Sequence, residues 1–291
     1  MLSPEALQRI RRLQISSSRL VSGLFAGEYR SSFRGRGMEF VDVREYQPGD
    51  DVRFIDWNVT ARCGRPFAKQ FAEERQLTVM LLLDVSPSFR FGTRSDLKCG
   101  IAAEICALLA VAALKNNDRA GLALFSDRVE SFVPPEKGDA QQFRIIREML
   151  EHRPVGGGTD LAAVLGHLDR LFKRRKVLVI FSDFLSPDYR RALAIAARKH
   201  EVIAVTIIDP VELQLPDAGI VDFRIAESGE HMMLDTSARQ VRDACRERFQ
   251  RLRAERRSLF SSLGVDHLEL LPGANLLHEL LGFFRKRQGR R

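Results

Sequence analysis

Beyond residue 76, short apolar runs alternate with longer segments of helical periodicity. Residues 77–83 are apolar apart from Thr78, which is typical of a strand covered on both faces. Residues 95–116 are apolar on nearly every side, as in a buried helix that Ser95 can cap. The alternation continues with strands at 121–125, 177–181, 202–208 and 265–270 and helices at 141–152, 160–174, 187–199, 237–263 and 276–284, while 129–133 can pair back on 121–125 and 220–234 can form a polar hairpin. This pattern predicts an α/β fold with a mainly parallel sheet and helices on both faces.

The first 76 residues have a different texture. Ser3 and Pro4 predict the start of a helix, and β-like pieces at 39–46, 52–57 and 67–71 then alternate with Gly and Pro turns. We therefore expect two units, an N-terminal helix with a small, mostly β satellite (1–76) and the α/β domain (77–291). Trp57, the single Trp, is expected to anchor the satellite's packing. We expect an ion-pair network to fix the satellite's loops against the main sheet, formed by Arg44, Asp50, Asp51, Arg53, Asp56 and Arg62.

Composition narrows the class of protein. The four cysteines form no CxxC pair, and Cys99 and Cys106 fall in the apolar helical stretch, so neither a disulfide framework nor a zinc ribbon is expected. The start of the chain has no signal-peptide pattern, and the apolar stretch at 101–114 falls short of the roughly 20 residues that a membrane span needs. We expect a cytoplasmic protein without a transmembrane segment.

Polar side chains follow three predicted elements at one end of the sheet. Asp84, Ser86 and Ser88 come directly after the first strand, Thr159 ends the run Gly156-Gly157-Gly158, and Asp183 follows the strand at 177–181. Each piece alone fits a turn, a helix N-cap at Thr159 or the end of a strand. Together, carboxylate and hydroxyl oxygens at the carboxyl ends of parallel strands predict a Mg²⁺ site with an open coordination position.

The order Asp84-x-Ser86-x-Ser88, then Thr159, then Asp183 resembles the metal-ion-dependent adhesion site of von Willebrand factor type A domains. The resemblance covers residues 77–291 and implies a Rossmann-like fold. It also implies that Ser86, Ser88 and Thr159 are hydroxyl ligands of Mg²⁺ (or Mn²⁺ or Ca²⁺), with Asp84 and Asp183 bound directly or through water. Pro87 and Phe89 depart from the pattern of many such domains, which have Gly between the serines and a small residue or Met after them.

The upstream segment narrows the match. Its runs 34–40, 43–51 and 55–57, together with Asp209-Pro210-x-Glu212 and Leu215-Pro216-Asp217, resemble the signature of the bacterial family known as domain of unknown function fifty-eight. This resemblance implies a partnership with a MoxR-type AAA+ ATPase or its client. It implies a metal-dependent adaptor rather than an enzyme.

The net charge of +8 is concentrated after residue 238, where 13 Lys and Arg face 6 Asp and Glu. A solvated helix face explains most of this stretch, and docking to an acidic partner surface is the functional alternative, through Arg242, Arg246, Arg253 and Arg257. Two other functions stay open. One is a Mg²⁺-dependent phosphohydrolase with Asp84 as nucleophile, although Ser86 stands where a second acid is usual. The other is nucleic-acid binding through the basic C-terminal region, which lacks interleaved aromatic residues.

Overall fold

A computed structural model describes residues 21, 24–33, 39–72, 76–89, 92, 98–224, 230–273 and 275–289. The predicted helix start at Ser3 and Pro4, the cap at Ser95 and most of the 34–40 run lie outside these residues. The elements are, in chain order, α1 (Leu24–Ser32), β1 (Glu39–Glu45), α2 (Trp57–Cys63), β2 (Phe67–Ala72), β3 (Thr78–Asp84), α3 (Lys98–Lys115), β4 (Arg119–Phe125), β5 (Val129–Glu136), α4 (Asp139–Glu151), α5 (Leu161–Leu171), β6 (Val177–Phe181), α6 (Arg190–Lys199), β7 (Glu201–Ile207), α7 (Pro210–Leu213), β8 (Ile220–Arg224), β9 (His231–Asp235), α8 (Arg239–Leu263), β10 (Asp266–Leu270) and α9 (Leu276–Gln288).

The centre of the fold is a six-stranded sheet in the order β10-β7-β6-β3-β4-β5. The first five of these strands are mutually parallel, and β5 pairs antiparallel with β4 at one edge. The predicted mixed α/β class and mainly parallel sheet are confirmed. The carboxyl ends of β3, β6 and β7 therefore meet at the same edge of the sheet, which we call the carboxyl edge.

Helices cover both faces of the sheet, and the side chains of β3 show how. Val79, Leu81 and Leu83 belong to one buried cluster with α3, α4 and α9, while Met80 and Leu82 belong to the other with α5, α6 and α8. Because side chains alternate along a strand, burial on both faces requires an apolar residue at nearly every position. For this reason the apolar run at 77–83 predicts a buried strand from the sequence alone.

The helix α1 packs on the α/β body, although the sequence analysis grouped it with the satellite. The rings of Phe33 and Phe284 lie 5.5 Å apart, and both belong to the main core cluster. The Tyr29 hydroxyl donates a 3.3 Å hydrogen bond to Asp118, whose other carboxylate oxygen accepts from the amide of Leu77 at 2.8 Å. The chain before the satellite thus contributes to the body that follows it.

Two expectations for the satellite are wrong. The piece at 52–57 is not a strand, because Asp51 caps a short 3₁₀ turn and Asp56 accepts from the amides of Asn58 and Val59 to cap α2. The Trp57 side chain, expected as a packing anchor, is 69% exposed as a result of that helical start. Of the predicted ion-pair network, the pairs Arg44–Asp50 and Arg53–Asp51 are present, and Asp56 pairs with Lys69, which was not predicted to take part. These pairs, and Arg65–Glu45 beside them, lie inside the satellite rather than between it and the main sheet.

Several boundaries follow the predicted turn chemistry. Gly264 ends α8 with a φ of 66°, the left-handed conformation that favours glycine at a helix end. The predicted polar hairpin is present as β8 paired with β9.

Among the described residues, no helix combines the length and the apolarity that crossing a bilayer requires.

Candidate metal centre

Asp84 is the last residue of β3 and is completely buried. Its Oδ1 accepts a 2.9 Å hydrogen bond from the amide of Ser86, and its Oδ2 accepts a 2.6 Å hydrogen bond from the hydroxyl of Ser182. The first bond holds the turn after β3, and the second joins β3 to the residue that follows β6. Both carboxylate oxygens of Asp84 are thereby fixed toward the carboxyl edge.

Ser86 and Ser88 lie together, as the sequence predicts. Their hydroxyl oxygens are 3.2 Å apart, with Ser86 completely buried and Ser88 partly exposed. Pro87 between them does not turn the two hydroxyls apart, so this departure from the type A pattern leaves the pair intact.

Asp183 follows β6 and is 4% exposed. Its Oδ1 accepts a 3.1 Å hydrogen bond from the amide of Leu185, whereas its Oδ2 is buried and has no hydrogen-bond partner among the described residues. Its backbone carbonyl accepts a 2.9 Å hydrogen bond from Nη1 of Arg256 on α8. A buried carboxylate oxygen without a donor is costly, because the group has lost water and gained nothing in exchange.

The two carboxyl groups also act on each other. Burial raises the pKa of Asp84, the negative charge of Asp183 raises it further, and the hydrogen bonds from Ser182 and Ser86 only partly oppose this, so the pKa reaches about 7. Two acids brought together away from water disfavour ionisation unless a cation lies between or beside them.

Thr159 is not the N-cap of α5, contrary to one of the expectations for it. Asp160 caps the helix instead, because its Oδ1 accepts a 2.8 Å hydrogen bond from the amide of Ala163. The helix start is held to the carboxyl edge by the amide of Leu161, which donates to the hydroxyl of Ser186 at 3.0 Å. Thr159 is 7% exposed and lies two residues before that contact, at the same edge as the aspartates.

The loop that carries Thr159 is positioned by Glu130, a residue that the sequence analysis did not identify. Glu130 accepts hydrogen bonds from the amides of Val155 (2.9 Å) and Gly156 (3.0 Å), from His152 (2.9 Å) and from the Ser126 hydroxyl. Burial raises the pKa of Glu130, but these hydrogen bonds outweigh it and bring the pKa to about 2. No local pattern marks such a residue, because three of its four partners come from one distant loop, residues 152–156.

Gly156 in this loop must be glycine for lack of space. A Cβ atom there would lie 1.9 Å from the Ser126 hydroxyl oxygen and 2.7 Å from Oδ1 of Asp127. At Gly157 and Gly158 nothing lies within 4 Å of such an atom. Of the three glycines, the first fixes the loop against β4.

The motif Asp209-Pro210-x-Glu212 builds a second contact at the carboxyl edge. Asp209 and Glu212 form a capping box at the start of α7, and Glu212 also pairs with the buried amino group of Lys98 at the start of α3. This part of the signature therefore ties the turn after β7 to the helix that follows the Asp84 loop.

The four arginines proposed for partner docking all have acceptors within the chain. Arg253 and Arg257 pair with Glu269 on β10, Arg246 pairs with Asp243 at 2.8 Å, and Arg242 donates to the carbonyls of Thr236 (2.5 Å) and Ser237 (2.8 Å). Arg256, on the same helix, contacts both Glu269 and the Asp183 carbonyl. These contacts fasten α8 to the sheet and to the candidate centre.

The donor set fits a hard divalent cation rather than a soft one. Within the described part of the chain, no three His, Cys, Asp or Glu side chains come together in an arrangement that would hold an ion. The predicted ligands are two carboxylates and three hydroxyls, all oxygen, and such a set would suit Mg²⁺ and leave the protein short of a full octahedral shell. The partnerless Oδ2 of Asp183 is the observation that a cation would explain.

Comparison with known proteins gives the family of the chain. A family model described as "Protein of unknown function DUF58" matches residues 42–258. The chain is 34% identical over 229 residues to uncharacterized protein Rv1480 of Mycobacterium tuberculosis, which covers 78% of this chain and 72% of that protein. It is 33% identical over 113 residues to uncharacterized protein YeaD of Bacillus subtilis, covering 39% of this chain and 25% of that one.

Among solved structures, the conserved hypothetical protein BatB from Bacteroides thetaiotaomicron is similar at a TM-score of 0.48 and 13% identity, over 73% of this chain and 99% of that chain. An uncharacterized membrane spanning protein from Vibrio fischeri has a TM-score of 0.27 and 16% identity, over 75% of this chain and 100% of that one. The family match and the relative at 34% identity together span most of the sequence. This chain belongs to the DUF58 family of proteins of unknown function.

Proposed function

We propose that the chain is a non-enzymatic, Mg²⁺-dependent protein-binding module with a von Willebrand factor A-like fold. Asp84, Ser86, Ser88, Thr159 and Asp183 would hold the ion. The observation that carries the proposal is the buried Oδ2 of Asp183, which has no partner among the described residues and belongs to a carboxylate that raises the pKa of Asp84.

When bound, the ion would supply a coordination position that an Asp or Glu of a partner can fill. The residues of this chain hold the site ready for that step. Ser182 and Ser86 orient Asp84, Arg256 holds the backbone at Asp183, and Glu130 holds the loop that leads to Thr159.

The partner we propose is a MoxR-type AAA+ ATPase or its client, and the cytoplasm is the compartment we propose for it. The partner rests on the family resemblance of the sequence alone. The compartment rests on the sequence, whose four cysteines form no CxxC pair and predict no disulfide framework.

The geometry weighs against the phosphohydrolase alternative. A nucleophilic Asp84 needs room for a whole phosphate group beside its carboxylate, whereas a cation needs only a remaining lone pair or a bridging water. Asp84 is fully buried, and both of its oxygens already accept hydrogen bonds, so the space that a phosphate group requires is restricted. The hydroxyl of Ser86, at the place of the usual second acid, is not an acid that could protonate a leaving group at neutral pH.

A direct test is to measure Mn²⁺ binding by electron paramagnetic resonance, with Mg²⁺ and Ca²⁺ as competitors. We expect one site in the wild type and at least a tenfold weaker one in Asp84→Asn, on the scale of a lost charged ligand. Asp188→Asn is the matched control, because Asp188 is an exposed carboxylate on the same loop as Asp183 with a φ of 47° that Asn tolerates. Equal affinity in all three proteins would remove the metal from the proposal.

A pull-down experiment tests whether the chain binds a protein partner in a metal-dependent way. A pull-down with Mg²⁺ should retain a protein that is lost with a chelator and lost in Asp84→Ala. Partners that stay unchanged in every condition would contradict a metal-dependent role, whereas Mg²⁺-dependent turnover of a phosphoester that is lost in Asp84→Asn would favour the phosphohydrolase.

A further inference from the structure

The strand β5 is the last strand of the sheet, and within the described part of the chain no strand lies beside its outer edge. Beside this edge is an open groove of about 470 Å³, which we call the β5–α5 groove. One side is lined by the five consecutive residues 128–132, and the other by Ala163, His167 and Arg170 of α5. The pairing of β5 with β4 is irregular between Val129 and Ser131, so these side chains do not alternate strictly, and consecutive residues of the outermost strand line the groove.

The groove has an excess of positive charge. The guanidinium groups of Arg128 and Arg170 and the imidazole of His167 are exposed, and none has a carboxylate partner in the part of the chain that the structure describes. The acidic residue in the lining, Glu130, has only 3% of its side chain exposed and is held by donors on the side of the Gly-rich loop.

A basic run continues this charge at the far end of α5. Five of the seven residues from 170 to 176 are Lys or Arg. Of the nearby acids, Asp169 pairs with Lys199 at 2.6 Å, and Glu201 pairs with Arg287 and, at 4.0 Å, with Arg175 of the run itself. The pKa of Lys176 is lowered, mainly by burial and further by the positive charges of Arg119 and Arg174.

The wall of the groove also offers apolar surface. Val129 and Phe132 are partly exposed and pack against the core cluster beneath α5, with the Phe132 ring 6.2 Å from that of Phe172. Pro134 and Pro135 follow in the same strand, and a proline has no amide to donate to a further strand. The usable edge is therefore short, about five residues or roughly 17 Å at 3.4 Å per residue.

From these features we propose that the β5–α5 groove binds an extended acidic segment of a protein partner as an added strand along residues 129–133. The edge supplies main-chain hydrogen bonds, Val129 and Phe132 contact apolar side chains, and Arg128, His167 and Arg170 pair with carboxylates. An extended peptide fits better than a nucleic acid, because the lining has no fully exposed aromatic ring on which bases could stack. This surface shares Glu130 with the support of the loop that leads to Thr159, but its exposed cationic side chains are not among the proposed metal ligands, and binding requires no ion.

The probe is a fluorescein-labelled octapeptide with glutamate at every second position and valine or threonine at the others. Its binding is measured by fluorescence anisotropy. We expect the wild type to bind it, and Arg128→Glu combined with Arg170→Glu to weaken binding by about tenfold or more through like-charge repulsion. Arg191→Glu is the matched control, because Arg191 is an exposed arginine on α6 with no acidic partner among the described residues. The milder pair Arg128→Gln and Arg170→Gln should weaken binding in the same direction, and it replaces the double reversal if that protein misfolds.

Hydrogen exchange locates the bound peptide. Added-strand binding should slow exchange of amides within residues 129–133, and EDTA should leave both affinity and protection unchanged. The inference is overturned by absence of binding, by equal affinity in the wild type and the charge-reversed variant, or by protection elsewhere. It is also overturned if a peptide with lysine in place of glutamate binds with equal affinity, or if EDTA abolishes binding. Tighter binding of single-stranded oligo(dT) of equal length, with loss of that affinity in the charge-reversed variant, would likewise overturn it.

Discussion

The hydroxyl of Ser182 donates a 2.6 Å hydrogen bond to Oδ2 of Asp84, a residue 98 positions earlier in the chain. The bond crosses from the end of β6 to the end of β3 and leaves the next residue, Asp183, buried beside Asp84 with an oxygen that has no partner among the described residues. Parallel strands make such a meeting possible, because their carboxyl ends share an edge whatever their separation in sequence.

Asp183→Asn should stabilise the metal-free protein and abolish most of the stabilisation by Mg²⁺. The amide removes a buried negative charge beside Asp84, and it also removes a ligand. At a free Mg²⁺ concentration about 100 times the dissociation constant, binding should add about 2.7 kcal/mol to the wild-type free energy of unfolding. Thermal unfolding with Mg²⁺ and with EDTA measures both effects, and Asp188→Asn should behave as wild type. A Mg²⁺ response of the same size in Asp183→Asn would contradict the assignment of Asp183.

Gly156→Ala should destabilise the protein by about 1–3 kcal/mol, the usual cost of forcing atoms into a packed site. The new Cβ would overlap the Ser126 hydroxyl and Asp127, and the displaced loop should also weaken metal binding through Thr159. Gly157→Ala is the control in the same loop, since a Cβ there meets nothing within 4 Å. Urea unfolding of the two variants measures the difference, and equal stability would show that the loop is not held as described.

Arg253 and Arg246 should differ in their contribution to stability. Arg253 donates to both carboxylate oxygens of Glu269 at 2.9–3.1 Å, whereas Arg246 forms an exposed pair with Asp243 within one helix. We expect Arg253→Ala to cost about 1.5–3 kcal/mol and Arg246→Ala less than about 0.5 kcal/mol. Chemical denaturation checks both values. If neither substitution changes stability, the arginines of α8 are available for a partner after all.

The Glu269 carboxyl group should make stability depend on pH in the acid range. Burial raises its pKa, but hydrogen bonds from Arg253 and Arg257 outweigh this and lower the pKa to about 2. The folded pKa thus lies below the unfolded value, so the stabilisation is complete above about pH 4.5 and is lost as the pH falls toward 2. Glu269→Gln should therefore be less stable than wild type by on the order of 2 kcal/mol at neutral pH, with the difference shrinking below pH 4.5.

Unfolding free energies of both proteins from pH 7 down to pH 3 provide the comparison. A difference that stays constant across this range would mean that the charge of Glu269 is not what its arginines stabilise. The arginines themselves keep their charge throughout, so they do not contribute to the slope.

The sequence by itself determined the elements with a strong local signal. The run at 77–83 became β3 because a strand buried on both faces must be apolar throughout, and Gly264 ended α8 because the chain turns there with a positive φ. The positions of Asp84 and Asp183 at strand ends, and thus at one edge, followed from the same pattern. The piece at 52–57 has the Gly- and Pro-rich surroundings typical of a small β unit, whereas in the structure the side chain of Asp56 caps a helix there.

Only the tertiary structure decided what supports those aspartates. Glu130, Ser182, Ser186 and Arg256 reach the centre from separate segments, and no spacing in the sequence records which carboxylate will meet which amide. The exposure of Trp57 is also decided by the tertiary structure, because it depends on which residues the fold places next to the ring. Local propensity and periodicity act over a few residues, whereas hydrogen bonds and desolvation at the centre depend on strands brought together across the sheet.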